Sequence, residues 1–172
     1  MGESRVDTPE INPAVFRKAY SAAISKLSIR DHSRSEIKKA LALKGFEESI
    51  SDQVIKKLEN DGYLKENEFA ERFAKSQLEK GYGRFRIKLK MNAKGLDEEA
   101  LENALESSCP REKEYESALS VASKKLKTLI EDEDPGKKRA RLSRFLVSRG
   151  FDYDLTREVV NKVLVLDYYC GE

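Results

Sequence analysis

The sequence has no tryptophan, one histidine and two cysteines in its 172 residues. His32 sits in a polar segment between predicted helices and has no cysteine or second histidine to complete a ligand set, so we expect a solvated loop residue and no metal site. Cys109 and Cys170 are far apart in the chain, which argues against a disulfide framework and favours a reducing compartment. These shortages exclude the metal and disulfide scaffolds of small secreted domains.

Long apolar runs are missing as well. No stretch approaches the roughly 20 apolar residues that cross a bilayer. Residues 1–13 lack the apolar segment of a signal peptide and are predicted to form a flexible N-terminal arm. We therefore expect a soluble, cytoplasmic protein that does not bind membranes, and we expect it to be a monomer.

A constellation of catalytic residues is also missing. Carboxylates are numerous, but they fall on charged helical faces, where acids are common in N-terminal turns. The glycines follow predicted helices, and the segment 81–83 (Gly-Tyr-Gly) is interpreted as a helix–helix turn rather than a phosphate-binding loop. We predict a protein that is not an enzyme and that needs no cofactor.

The main positive feature is a pattern that occurs three times, at intervals of about 50 residues. Each copy begins with an Ala-x3-Ala-x3-Leu ladder and ends at a glycine. Counted back from that glycine, a basic residue stands at position −11, apolar residues stand at positions −8 and −4, and Lys or Arg stands at position −1. The three glycines are Gly45, Gly95 and Gly150. Such a period is typical of stacked supersecondary units, each of which would leave an apolar face in water if it stood alone.

Each unit is predicted to contain three helices. The alanine ladder places small side chains on one stripe of the first helix. The second helix is predicted over 35–44, 84–94 and 138–149, and each copy ends at the glycine, which can adopt the left-handed conformation. The third helix opens with acidic or hydroxyl residues. In the third unit a longer, mobile loop is predicted at 131–136, between the first two helices.

We therefore predict an all-α fold of three tandem three-helix repeats that form an elongated, curved array. The repeats are placed at residues 14–60, 61–109 and 110–166, and a C-terminal tail is placed at 167–172.

Charge is segregated along the chain although the net charge is only +2. Residues 80–96 contain six basic residues and no acid, residues 97–106 contain five acids and no base, and residues 136–151 again contain six basic residues and no acid. One interpretation is that acids of the third helices neutralise solvated bases of the second helices. The other is a track that binds a polyanion or an acidic protein groove. We favour the second, and predict as contact residues Arg84, Arg86, Lys88, Lys90, Lys94, Lys137, Lys138, Arg139, Arg141 and Arg144.

Several strings in this order resemble the RecX family of bacterial recombination regulators. They are Leu-Lys-Gly-Phe at 43–46, Asp-Gly-Tyr-Leu at 61–64, Lys-Gly-Tyr-Gly at 80–83 and Arg-Phe-Leu-x-x-Arg-Gly-Phe-x-Tyr at 144–153. The resemblance covers residues 14–166. Two positions depart from the family pattern, since Lys-Glu-Asn-Glu at 65–68 replaces an Asp followed by an Arg, and Gln77 stands near a position where Arg is common.

The resemblance implies three tandem three-helix repeats and a function in recombination and DNA repair. Family members bind the RecA recombinase filament on single-stranded DNA, lodge in its helical groove and curb ATP hydrolysis, strand exchange and LexA cleavage; some also contact DNA directly. An alternative is a stand-alone helical DNA-binding module without a recombinase partner. A third possibility is a scaffold that binds only proteins.

Overall fold

The structure, a computed structural model, describes residues 12–129 and 134–170, with side chains described as far as residue 166. Within these residues the chain forms nine α-helices and no strand, so the all-α prediction is confirmed. The predicted N-terminal arm lies almost entirely in residues 1–11, outside the described part. The chain divides into two compact units, Met1–Lys65 and Glu66–Glu172.

The first unit contains α1 (Pro13–Leu27), α2 (Arg34–Ala42) and α3 (Glu48–Asn60). Ala19 and Ala23 of the alanine ladder are buried against apolar side chains of α2 and α3. Small side chains allow the helices to approach closely. Ser33 and Glu36 form a reciprocal capping box that starts α2.

The second unit contains two groups of three helices. The first group is α4 (Glu66–Glu79), α5 (Arg84–Ala93) and α6 (Glu98–Ser108), and the second is α7 (Arg111–Leu126), α8 (Pro135–Ser148) and α9 (Tyr153–Cys170). Each group has its own apolar core, built from the same positions of the repeat as the core of the first unit. The predicted core residues of the second helices are all at most 1% exposed: Ile37, Leu41, Ile87, Met91, Leu142 and Leu146.

The glycine that ends each second helix has a positive φ angle. The angles are 82° at Gly45, 69° at Gly95 and 89° at Gly150. In each copy the next residue donates its N–H to the carbonyl five residues back, for example Phe151 to Leu146 O at 3.2 Å. The predicted left-handed helix ends are therefore confirmed.

Two local predictions were wrong. The loop predicted at 131–136 ends earlier, because α8 begins at Pro135, where proline suits the first helical position, and the Asp134 carboxylate accepts from Lys137 N at 3.0 Å. His32 is only 7% exposed rather than solvated, and burial lowers its pKa. Helix α9 continues to Cys170 and so includes residues 167–170, which the sequence analysis assigned to the C-terminal tail.

Helices α5 and α8 meet through their backbones. Gly83 N donates to Arg149 O at 2.9 Å, and Phe85 N donates to Gly150 O at 3.1 Å. The Arg149 side chain reinforces this joint, since its Nη1 donates to the carbonyl oxygens of Lys80 and Gly81 at 3.0 and 3.1 Å. The two three-helix groups of the second unit are thereby held in one fixed arrangement.

A buried carboxylate caps α5 from the neighbouring group. Gly83, at the N-cap position, has no side chain, and Glu114 of α7 supplies the missing acceptor: its Oε1 accepts from Arg84 N at 2.7 Å. Glu114 is only 6% exposed, and burial raises the pKa of its carboxyl above the ordinary value, with the negative charge of Asp152 adding to the effect.

Glu114→Ala is expected to destabilise the second unit by about 1–3 kcal/mol, because the Arg84 N–H loses its acceptor. Glu114→Gln keeps an acceptor oxygen and should change the pH dependence instead. Because the folded-state pKa is raised, the contribution of Glu114 to stability is fully present below the unfolded pKa and is lost as pH rises through the folded pKa.

The free energy of unfolding, measured by urea titration between about pH 4 and 7, should therefore decline less with rising pH in Glu114→Gln than in the parent. Equal stability of the Ala and Gln variants would show that the hydrogen bond to Arg84 N contributes nothing.

Candidate functional site

The structure separates the predicted contact residues of α5 into different faces. Arg84 and Lys88 point towards α6. Lys88 Nζ lies 2.8 Å from Glu98 Oε1 and also contacts the Glu102 carboxylate, and Arg84 Nη2 lies 3.7 Å from Glu102 Oε2. The hydrogen bonds that Lys88 Nζ donates to Glu102 and, as the smaller effect, to Glu98 raise the pKa of Lys88. The positive charges of Arg84 and Lys88 are therefore largely neutralised by acids of the same repeat.

Lys90 and Lys94 lie on the opposite flank of α5. Lys90 Nζ is 3.6 Å from the centroid of the Tyr82 ring and donates to Gln77 Oε1 at 2.7 Å. Lys94 Nζ lies 5.3 Å from the Phe73 ring centroid, a cation–π arrangement. The side chain of Arg86 is exposed to solvent and makes no ion pair with a described residue.

The ion pairs of α5 recur at the same repeat positions in the first unit. Lys38, like Lys88, stands seven residues before the glycine, and its Nζ lies 2.7 Å from both Glu48 Oε1 and Asp52 Oδ1. These acids stand three and seven residues after Gly45, as Glu98 and Glu102 do after Gly95. In the first two repeats, acids of the third helix thus neutralise a base of the second helix, which is the interpretation we had not favoured.

The third repeat breaks this pattern. The three corresponding positions are occupied by Ser143, Tyr153 and Arg157, so that a tyrosine and an arginine replace the two acids. Of the acids near this end, Asp152, which precedes α9, and Glu158 face Arg111 of α7 at 3.6 and 4.0 Å. Asp154 pairs with Arg157 of the same helix at 3.5 Å. The two acids that neutralise the second helix in the other repeats therefore have no counterpart at these positions of the third.

Most of the predicted cations of α8 are exposed. Lys137 makes no side-chain ion pair within the described residues, and Arg144 Nε donates to the carbonyl of Ala140, one turn back, at 3.2 Å. Arg139 bonds to the neutral Asn161 side chain rather than to a carboxylate. Arg141 is exposed and Lys138 is half-buried. The structure thus gathers cations on α8, whereas it divides those of α5.

A groove of about 680 Å³ runs between α8 and α9 beside these cations. Among the described residues it is lined by the cations Arg139, Arg144 and Arg157 and by one acid, Asp154, which lies 3.5 Å from Arg157. Tyr153 stands at its edge with 79% of its surface exposed. Guanidinium groups suit phosphate and carboxylate oxygens because of their planar donor geometry. The groove is therefore suited to binding an anionic surface.

Thr156 lines the groove and is only 3% exposed, and its Oγ1 forms no hydrogen bond with a described residue. The sequence prediction omitted Arg157, although its signal was present: arginine stands where the other two repeats have an acid.

The described residues contain neither a metal centre nor a membrane-spanning helix. Over the ranges 12–129 and 134–170, no three His, Cys, Asp or Glu side chains are placed to hold a metal ion. None of the helices in those ranges has the length and apolar character needed to cross a membrane. Burial raises the pKa of the Cys109 thiol to about 11, so this thiol remains protonated and unreactive at neutral pH.

Comparison with known proteins places this geometry in a family. Family models described as the first, second and third three-helix domains of RecX match residues 19–58, 66–105 and 112–160. A protein of Clostridium botulinum (strain Eklund 17B / Type B) named Regulatory protein RecX is 33% identical over 159 residues, which cover 92% of this chain and 74% of the relative. A protein of the same name from Prosthecochloris aestuarii is 33% identical, over 86% of this chain and 95% of the relative.

The fold is also found in a solved structure. The crystal structure of RecX from Lactobacillus salivarius superposes with a TM-score of 0.82 at 22% identity, and the match covers 90% of this chain and 99% of that one. This likeness concerns the fold, whereas the three domain matches and the two relatives confirm the resemblance seen in the sequence: the chain belongs to the RecX family of regulatory proteins.

Proposed function

We propose that this protein binds the RecA recombinase filament on single-stranded DNA and modulates, mostly by inhibition, its ATPase, strand-exchange and coprotease activities in recombination and DNA repair. Family membership over all three domains supports this role, because the matched relatives are named regulatory proteins. The protein acts in this proposal by binding rather than by catalysis.

The observation that carries the proposal is the groove between α8 and α9. In the first two repeats the equivalent face is neutralised by its own acids, whereas in the third Tyr153 and Arg157 replace them. Two arginines of this groove, Arg139 and Arg144, have no carboxylate partner among the described residues, so they are available for an external anion. Acidic side chains of a filament groove or DNA phosphates would provide that anion.

The predicted contact set therefore divides into two parts. Lys137, Arg139 and Arg144 have no carboxylate partner within the described residues, so they carry the main contact in this proposal. Arg84 and Lys88 already have carboxylate partners, which a new anion would have to displace at a cost that offsets much of the gain. The remaining predicted residues, Arg86, Lys90 and Lys94 of α5 and Lys138 and Arg141 of α8, are secondary contacts in this proposal.

The modulation follows from differential binding. A regulator shifts a filament between states only to the extent that it binds one state more tightly than another. The backbone joint at Gly83 and Gly150 holds α5 and α8 at a fixed separation. Two contact helices at a fixed distance would fit the spacing of filament protomers in one state better than in another.

The test is the rate of ATP hydrolysis by RecA in the presence of single-stranded DNA, with this protein added well below one molecule per recombinase. We expect hydrolysis to fall at these ratios, while binding to naked DNA at the same salt concentration stays too weak to explain the loss. Unchanged hydrolysis together with tight DNA binding would contradict the proposal and favour the stand-alone DNA-binding module.

A further inference from the structure

A second cationic surface, outside the predicted contact residues, lies in a cleft between α4 and α7. The cleft has a volume of about 560 Å³ and is separate from the α8–α9 groove. Four exposed lysines line it: Lys75 and Lys80 come from α4 and the turn after it, and Lys113 and Lys124 come from α7. These lysines are distant in sequence, and only the packing of α4 on α7 brings them together.

These lysines have no ion-pair partner among the residues that the structure describes. None of the four forms a side-chain ion pair or hydrogen bond within residues 12–129 and 134–170. Glu79 and Glu116, the two acids of the cleft, form none either, so four positive charges face two negative ones. Arg149 adds a further positive charge at the cleft wall, where its guanidinium is held by the carbonyl oxygens of Lys80 and Gly81. The cleft therefore carries a net positive charge that an anion would offset.

The side chains of the cleft indicate which anion it fits. A lysine ammonium is a hydrated point charge that contacts phosphate or carboxylate oxygens without fixed geometry. None of the described residues that line the cleft is aromatic, so unstacked bases would find no stacking partner. A phosphodiester backbone carries one charge per nucleotide and can therefore present several anions to these cations at once.

We propose that the α4–α7 cleft binds the phosphodiester backbone of a nucleic acid without reading its bases. Duplex DNA then binds at least as tightly as a single strand, because a duplex presents more phosphates per unit length and the cleft gains nothing from exposed bases. This contact requires no recombinase, and it is a DNA-binding site separate from the α8–α9 groove.

The experiment measures binding of the full chain to fluorescent oligonucleotides, an oligo-dT strand and a mixed-sequence duplex of equal length, over a series of salt concentrations. The test variant carries Lys75→Gln, Lys113→Gln and Lys124→Gln. Its control carries Lys18→Gln, Lys39→Gln and Lys56→Gln, three exposed lysines of the first unit that also lack ion pairs with described residues. The charge change is equal, and circular dichroism verifies that both variants are folded.

The cleft variant should lose affinity for the duplex by about tenfold to several hundredfold, and its slope of log affinity against log salt should shrink by about 2 to 3, since each lost phosphate contact removes close to one unit. The control should keep both values near those of the parent. Equal losses in the two variants would overturn the proposal, as would tight binding of oligo-dT with none to the duplex.

An acidic protein segment is the competing ligand, and poly-glutamate serves as its probe. If the cleft variant lost affinity for poly-glutamate but not for DNA, the cleft would be a protein contact and the proposal would be wrong. RecA is absent from these measurements, so a negative result would contradict only the cleft proposal. The proposed effect on ATP hydrolysis is tested separately, by the assay with RecA.

Discussion

Gly150→Ala is expected to disrupt the joint between α5 and α8 and to destabilise the second unit by about 3 kcal/mol or more. The φ angle of Gly150 is 89°, which L residues rarely adopt. A Cβ atom at this position would also lie 2.4 Å from the backbone nitrogen of Arg86 and 2.5 Å from its Cβ. Since one of these atoms belongs to the backbone of α5, the clash is relieved only if the two helices move apart.

Gly45→Ala is the matched control, because Gly45 occupies the same repeat position with a φ angle of 82° but has no atom within 4 Å of the added Cβ. It should cost only about 1–2 kcal/mol, from backbone strain alone. Hydrogen exchange with mass spectrometry reports each segment separately, and Gly150→Ala should accelerate exchange in α5 and α8. Similar losses of stability in the two variants would mean that the close contact at Gly150 does not stabilise the joint.

Reversing the charge of two α8 residues is expected to have the largest effect on function. In the double variant Lys137→Glu/Arg144→Glu, two exposed cations of α8 become anions; Arg144 lines the α8–α9 groove, and Lys137 lies about two turns before it on the same helix. If this face meets acidic or phosphate groups, attraction turns into repulsion, which costs several kcal/mol. The concentration needed for half-inhibition of RecA ATP hydrolysis should rise by about a hundredfold or more.

Arg17→Glu/Lys56→Glu provides the control for this reversal. It changes one arginine and one lysine at exposed positions of the first unit, which have no ion pair within the described residues, so the net charge changes equally. Inhibition by this variant should stay within a few-fold of the parent. A similar loss in both variants would indicate a non-specific charge effect, and no loss in the α8 variant would remove the groove from the contact surface.

The core and the helix ends could be predicted because they depend on residues close in sequence. Ile37 and Leu41 are one turn apart on one helix, and their equivalents in the other repeats are buried in the same way. Gly45, Gly95 and Gly150 end helices because of their own conformational freedom. The predicted end of the 131–136 loop was wrong because proline, which is common in loops, also suits the first position of a helix, and Pro135 starts α8.

The candidate site was less predictable because the state of a charge depends on its neighbours in space. Lys88 and Arg144 look alike in sequence, as members of basic segments without acids. In the structure Lys88 is held by Glu98 and Glu102, whereas Arg144, among the described residues, bonds only to a carbonyl of its own helix. A comparison of the three repeats position by position could have identified Arg157. Only the structure shows why the position matters, because there the equivalent acids of the first two repeats pair with a base of the second helix.

The sequence by itself determined the repeat, the all-α class, the buried stripes of the helices and the family. Periodicity carries this information because a helix repeats its faces every few residues. Only the tertiary structure decided which cations are neutralised, that Glu114 caps α5, and that Lys75, Lys80, Lys113 and Lys124 share a cleft. The reason is physical: electrostatic partners are set by distances of a few ångströms between helices, and those distances arise only when the helices pack.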